Sequence, residues 1–386
     1  MSLLSFLVEY KWVILFYLII ILIIIIKRKK FQFQAKFIAL YRTKIGLKLI
    51  KKIGTRYSEF IKILGYIGIG IGYTGMAVIL FFIIKGLYDL VFVPEAPAII
   101  APVLPGVAIP GSPVFVPFWY GIISLFIVVL IHEFSHGIVA RAHDLPVRNT
   151  GIVFFGPLIG AFVEPDEKKI KKQKDVVQYS IFAAGPFSNI LTAGIVILLF
   201  ILLINPLSNA YIQPRGVVFT EVEPSMPAAE AGLEQGVVYT YVNNYSVKST
   251  EDFVAAFEGI EVNQSVLIRS ARNNHTVTTT ARPDAPESPV IGVSIKTSYT
   301  NEDNVFAKIF LWFTGLFSWI FMLSLGLGLA NLLPLGPVDG GRMLGVSLSK
   351  TLGEKKGKLV WGKITIIMII IIVILLVTPI LKAIIG

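Results

Sequence analysis

His132-Glu133-Phe134-Ser135-His136 places two imidazoles four residues apart, with a carboxylate beside the first. On a helix, positions i and i+4 stand one above the other, so both rings project from one face and can grip a single metal ion. Zinc suits two imidazoles plus a harder third ligand. The fourth position is left for water, whose pKa falls to about 7 on the metal. Glu133 can then accept that proton. This is the equipment for metal-assisted hydrolysis of an amide.

The setting makes an idle motif expensive. The chain has only four histidines, and two of them fall here. The motif lies in an apolar run, residues 119–142, long enough to cross a bilayer. A charge at the centre of a span costs about 2.5–3.5 kcal/mol on insertion scales, so an ionisable triplet there marks a site.

Spacing leaves the third ligand open. Metzincin spacing would put another His where Ala142 stands, and His143 misses by one residue. Glu164 could serve as in enzymes that pair two histidines with a downstream glutamate. Asp339 is far away in sequence, yet glycines and prolines around it would let a carboxylate approach a metal. The residues alone do not choose between these two.

Composition fixes the class. Of 386 residues, 55% are hydrophobic and 15% charged, which describes a polytopic membrane protein with room for one soluble module. There is no cysteine, so disulfides and thiolate ligands are excluded. The net charge of +11 comes from Lys and Arg clustered beside apolar runs. That is the positive-inside pattern, and no nucleic-acid partner is expected.

Residues 10–26 are apolar and end in Lys27-Arg28-Lys29-Lys30, the mark of a retained span with its N-terminus outside. Residues 63–84 return outward and carry Gly65, Gly68, Gly70, Gly72 and Gly75, small residues that permit close helix packing in lipid. Residues 91–117 hold seven prolines, among them Pro94, Pro97 and Pro113, and read as an ordered extracytoplasmic loop, either a cap over helix ends or a gate for substrate. The motif span then runs inward. Residues 147–163, interrupted by Gly156 and Pro157, read as a β-hairpin beside the site. Residues 180–204 cross outward with Gly185-Pro186-Phe187-Ser188-Asn189, whose Asn is either interhelical glue or a substrate contact.

From 215 to about 296 the chain turns polar, with alternating strands at 217–222, 266–269 and 276–281 and two short helices. Residues 309–333 go back inward. The segment 331–341 then breaks the helix with prolines and glycines around Asp339, and irregular backbone with a carboxylate at membrane depth implies a lined cavity. Residues 359–385 exit.

The expected fold is therefore an all-α polytopic membrane bundle of about six transmembrane helices, with a membrane-associated β-hairpin and an inserted α+β domain. Its expected divisions are 1–117 (N-terminal helices and Pro-rich loop), 118–208 (first part of the catalytic core), 209–300 (soluble insert) and 301–386 (second part of the core). Both termini and the insert are expected on the outer side of the cell membrane.

His-Glu-Phe-Ser-His in a span, Gly185-Pro186-Phe187-Ser188-Asn189 in the next and residues 331–341 in a later one together resemble the site-2 protease family of intramembrane zinc metalloproteases. The resemblance runs from about residue 119 to the end. It implies zinc on His132, His136 and Asp339, with Glu133 as the catalytic base and Asn189 helping to hold the substrate backbone. The family often has Leu before the ligating Asp, where this chain has Val338. Transmembrane proteins are the implied substrates, within the lipid bilayer.

The insert resembles a PDZ domain in residues 216–219, 227–233 and 249–253, which implies capture of an extended peptide or substrate ectodomain by strand addition. The expected binding loop is Ile291, Gly292 and Val293. A size-excluding plug is the other reading of this domain. A membrane metal transporter would want ionisable groups along a path through several spans, and these spans are otherwise nearly free of charge. A non-catalytic PDZ membrane scaffold would have no need of Glu133.

Overall fold

The computed structural model describes residues 10–34, 38–93, 99–107, 109–112, 114–155, 158–282, 285–301 and 303–385. Pro94, Pro97, Pro113, Gly156 and Pro157 lie outside the described residues. Two compact units are present: Met1–Ile197 together with Gly315–Gly386, and Leu198–Thr314.

The first unit opens with α1 (Lys11–Ile26), an apolar helix of 16 residues, shorter than the roughly 20 that a bilayer asks for. Strands β1 (Phe31–Gln34) and β2 (Ile38–Thr43) follow, then α2 (Leu47–Arg56) and the long α3 (Ser58–Phe92). Helix α4 (Phe118–Ala142) carries the His-Glu motif, and β3 (Val147–Phe155) and β4 (Leu158–Pro165) come next. A single turn, α5 (Glu167–Ile170), leads into α6 (Asp175–Leu199). Among the described residues, five helices are long and apolar enough to cross a membrane: α3, α4, α6 with the helical turns that continue it to Tyr211, and the two later ones, Val305–Ala330 and Glu354–Lys382.

The hairpin does not stand by itself. It is joined by β1 and β2 into a four-stranded antiparallel sheet in the order β1-β2-β3-β4. Thr43 pairs with Thr150, and Thr150 with Val163, so one rung ties residue 43 to the strand beside the site. Phe31-Gln32-Phe33-Gln34 alternates apolar and polar residues with a period of two, which is a strand signal.

Helix α2 lies on α4. Ile50 is fully buried against Gly137, and a Cβ on Gly54 would come 2.8 Å from the carbonyl of Ile138. The lysines of α2 stay exposed. On α3 the glycine face meets the rest of the unit: Cβ atoms on Gly65, Gly68, Gly72 and Gly75 would touch Ser180, Phe187, Met343 and Leu332 in turn, while Gly70 faces nothing within 4 Å. Spacings of 3, 4 and 3 keep these four on one side of the helix, where missing side chains bring the backbones together.

The second unit begins in the last turns of α6 and contains α7 (Asn205–Tyr211), β5 (Pro214–Val222), α8 (Pro227–Glu230), β6 (Val238–Val242), β7 (Tyr245–Ser246), α9 (Thr250–Phe257) and β8 (Ser265–Ser270). It continues through β9 (Asn274–Thr278), β10 (Thr280–Arg282), β11 (Ala285–Val290) and β12 (Val293–Tyr299). Its main sheet runs β12-β5-β6-β8-β9, with β7 paired to β6, so β12 is an edge. Phe219 stacks on Tyr239 at 4.5 Å in a core that includes Val266, Ile268 and Val277. Ser249 and Asp252 close a capping box that starts α9.

Helix α10 (Val305–Ala330) returns to the first unit, which ends with α11 (Asp339–Leu352) and α12 (Glu354–Ile385). The turn between α10 and α11 is tight. A Cβ on Gly341 would sit 1.9 Å from the carbonyl oxygen of Leu335, and one on Gly340 2.3 Å from that of Leu332. No side chain fits at either position, which is why the aspartate is followed by two glycines. Helix α12 pins this turn: Trp361 Nε1 donates to Gly341 O at 2.7 Å, and Thr365 Oγ1 accepts from Gly336 N at 3.1 Å.

Candidate active site

Helix α4 presents His132 and His136 to α6 and to the first residue of α11. His132 Nε2 lies 3.0 Å from Asp339 Oδ2, His136 Nε2 3.3 Å from the same oxygen, and the two Nε2 atoms are 3.2 Å apart. All three side chains are largely shielded from solvent. A tetrahedral zinc with ligands at about 2.0–2.1 Å spaces its ligand atoms about 3.3 Å apart, so this donor set has the dimensions such an ion needs.

The rings are held from behind. His136 Nδ1 donates to the carbonyl of Ile181 at 2.6 Å, which turns Nε2 toward the cluster. Pro186 lies within α6, where it has no N–H to give to the carbonyl of Phe182 four residues back. Gly185 lets α6 come this close: a Cβ there would stand 2.4 Å from His136 Nε2 and 2.5 Å from His132 Nε2.

A cavity of about 230 Å3 opens onto the cluster, with Glu133, Phe182, Asn331 and Arg342 among its lining residues. Glu133 Oε2 accepts from Val163 N at 3.2 Å, so β4 orients the carboxylate. Val163 can reach it because Gly137 has no side chain between strand and helix, a Cβ there meeting Val163 Cγ1 at 2.9 Å. Farther out, Arg342 lies over the Phe182 ring at 4.1 Å and donates to Glu167 at 3.0 Å.

Glu164 is engaged elsewhere. Arg42 Nε and Nη2 donate to its carboxylate at 2.6–3.0 Å, and Asn149 Nδ2 adds a bond of 2.9 Å. The Arg42 guanidinium holds the Glu164 carboxyl below the usual carboxylate range. Of the two carboxylates that spacing left open, Asp339 is the one beside the histidines. His143 pairs with Ser180 Oγ at 3.2 Å, and His275 Nδ1 donates to Ala231 O in the second unit.

Asn189 is fully buried, and its carboxamide lies 3.2 Å from His132 Nδ1, on the side of the ring away from Asp339. In the second unit, the Ile291 side chain belongs to the core, and the carbonyls of Ile291 and Gly292 accept from Ala228 N and Glu223 N. Gly292 has φ +77°, and Val293 opens the edge strand β12.

The sequence matches the profile of Peptidase family M50 over residues 120–376. The chain belongs to that family. An uncharacterized protein of Methanocaldococcus jannaschii is 30% identical over 329 residues, which cover 83% of this chain and 80% of that one. The zinc metalloprotease RasP of Oceanobacillus iheyensis is 24% identical over 223 residues, covering 44% of this chain and 51% of RasP. A PDZ domain of the SdrC-like protein from Listeria monocytogenes matches at 24% identity with a TM-score of 0.18, covering 21% of this chain and 87% of that domain.

As a family M50 peptidase of site-2 type, the chain is an intramembrane zinc metalloprotease, and its helices are those of a multi-pass membrane protein. The profile begins at residue 120, yet Arg42, Gly46 and Ile50 all pack against the catalytic elements. The Gly46 backbone meets the ring of Phe134 inside the motif, where a Cβ would lie 2.6 Å from Phe134 Cζ.

Proposed function

We propose that this family M50 protease cleaves peptide bonds inside transmembrane segments of other membrane proteins, with zinc held by His132, His136 and Asp339. The observation that carries the assignment is the convergence of both Nε2 atoms on Asp339 Oδ2, 207 residues on from His132. Zinc bound there supplies Lewis acidity, polarising the scissile carbonyl and acidifying water. The protein's own groups do the rest. Glu133, fixed by the Val163 amide, takes a proton from the attacking water and hands it to the leaving amine. A transmembrane helix hides its carbonyls in its own hydrogen bonds, so the substrate unwinds locally before it enters the cavity.

The first apolar helix completes a bundle of about six spans, with both termini and the second unit on the outer side. The second unit acts there as a PDZ-like domain, taking extended peptide along the edge strand β12 or excluding bulky ectodomains. Residues 291–293 shape the start of that edge through their backbone.

Purified protein in lipid nanodiscs should hold one zinc per chain and cut a model transmembrane peptide. Asp339→Asn should weaken zinc binding by more than about a hundredfold, since losing a direct ligand costs more than losing an outer partner. Glu164→Gln should keep its zinc and lose only the stability of one partly exposed ion pair, about 1 kcal/mol or less. Zinc loss in Glu164→Gln with retention in Asp339→Asn would reverse the ligand assignment.

A further inference from the structure

The two histidines are secured differently. His136 leans on a main-chain carbonyl, which substitution cannot remove, whereas His132 Nδ1 faces the side chain of Asn189 at 3.2 Å. Asn189 is wholly buried, and α10 packs against it at Gly328, where a Cβ would lie 3.3 Å from Asn189 Cβ. One carboxamide end meets the ring, and the other, Oδ1, is buried with no hydrogen-bond partner among the described residues. A buried polar atom left alone costs about 1–3 kcal/mol, so the position is held at a price and asks for a reason.

We propose that Asn189 is a positioning residue for His132, one that hydrogen-bonds Nδ1 and so aims Nε2 at the metal. This rests on the reading of His132 as a ligand. A neutral imidazole carries its proton on one nitrogen only. With Nδ2 toward the ring Nδ1 accepts, and a neutral imidazole so bonded would carry its proton on Nε2. A metal on Nε2 requires the opposite tautomer, with Nδ1 as donor. Rotating the carboxamide by half a turn exchanges its nearly isosteric ends and offers Oδ1 to Nδ1–H, without displacing any neighbour. Asn is suited to both states because it carries a donor and an acceptor of the same size. The orphaned atom is present in either orientation, so the choice between orientations falls to His132 alone.

A contact with the substrate backbone needs an open face. Asn189 has none, since its one partnered end is committed to the ring.

The test compares Asn189→Leu, of similar volume and without an acceptor, with Asn189→Asp, which keeps one. Zinc affinity is measured by chelator competition on the full chain in detergent, beside the visible spectrum of the cobalt-substituted protein and KM for a transmembrane peptide at saturating zinc. Asn189→Leu should lose about 10–100-fold in zinc affinity and alter the cobalt bands, with KM unchanged. Asn189→Asp should hold zinc as tightly as the parent or more so, because a carboxylate is the stronger partner for a metal-bound imidazole. Unchanged zinc affinity in Asn189→Leu, with either a raised KM or only a lower melting temperature, would overturn the proposal in favour of substrate contact or packing. If Asn189→Leu does not fold, Asn189→Asp decides, and a drop of about tenfold or more in its affinity overturns the idea. His132→Ala separates the two levels: zinc retained there would sink the ligand assignment itself, whatever Asn189 does.

Discussion

Glu133→Gln should keep its zinc and lose cleavage by about 10²- to 10⁴-fold, the usual contribution of a positioned acid–base group. Gln has the same length and shape, and its carbonyl oxygen can still accept from Val163 N, where Glu133 Oε2 now does at 3.2 Å. The fold and the three metal-facing atoms are therefore untouched. What disappears is the capacity to take up a proton and return it. Single-turnover assays on a transmembrane peptide, with zinc quantified in the same preparation, read both properties. Cleavage at the parental rate with full zinc would remove Glu133 from the chemistry.

Gly185→Ala is expected to be nearly as damaging, by a different route. One methyl group would stand 2.4 and 2.5 Å from the metal-facing nitrogens of His136 and His132. The rings cannot step aside, because Ile181 O and Asn189 fix them from behind. Zinc affinity should fall by more than about a hundredfold, beyond the loss of an outer hydrogen bond, and cleavage with it. Gly194→Ala in the same helix is the matched control, since a Cβ there meets nothing within 4 Å. It should be neutral or stabilising by up to about 1 kcal/mol through helix propensity. Parental zinc binding in Gly185→Ala would show that α6 can withdraw from α4, and the packing account would fail.

The long apolar helices, the glycine face of α3 and the His-Glu pair of α4 were all open to inspection in the chain, because each depends on neighbours within a turn or two. The N-terminal strands were not. Phe31–Gln34 is four residues long, and it becomes a strand by pairing with β2, which in turn borrows β3 more than a hundred residues on. Arg42 shows what that hides. It looks like one more positive charge in a basic stretch, and in the fold it neutralises Glu164, removing that residue from competition for the metal.

By itself, then, the amino-acid order determined which helices are apolar, that two imidazoles share a face, and that a carboxylate sits between glycines and prolines where no regular helix can continue. These follow from periodicity and local sterics. Only the tertiary structure decided that Asp339 completes the cluster, that Glu164 is tied to Arg42, and that Asn189 turns its amide to His132. Those outcomes depend on contacts spanning 207, 122 and 57 residues, which no local preference encodes and which arise only when helices and strands pack.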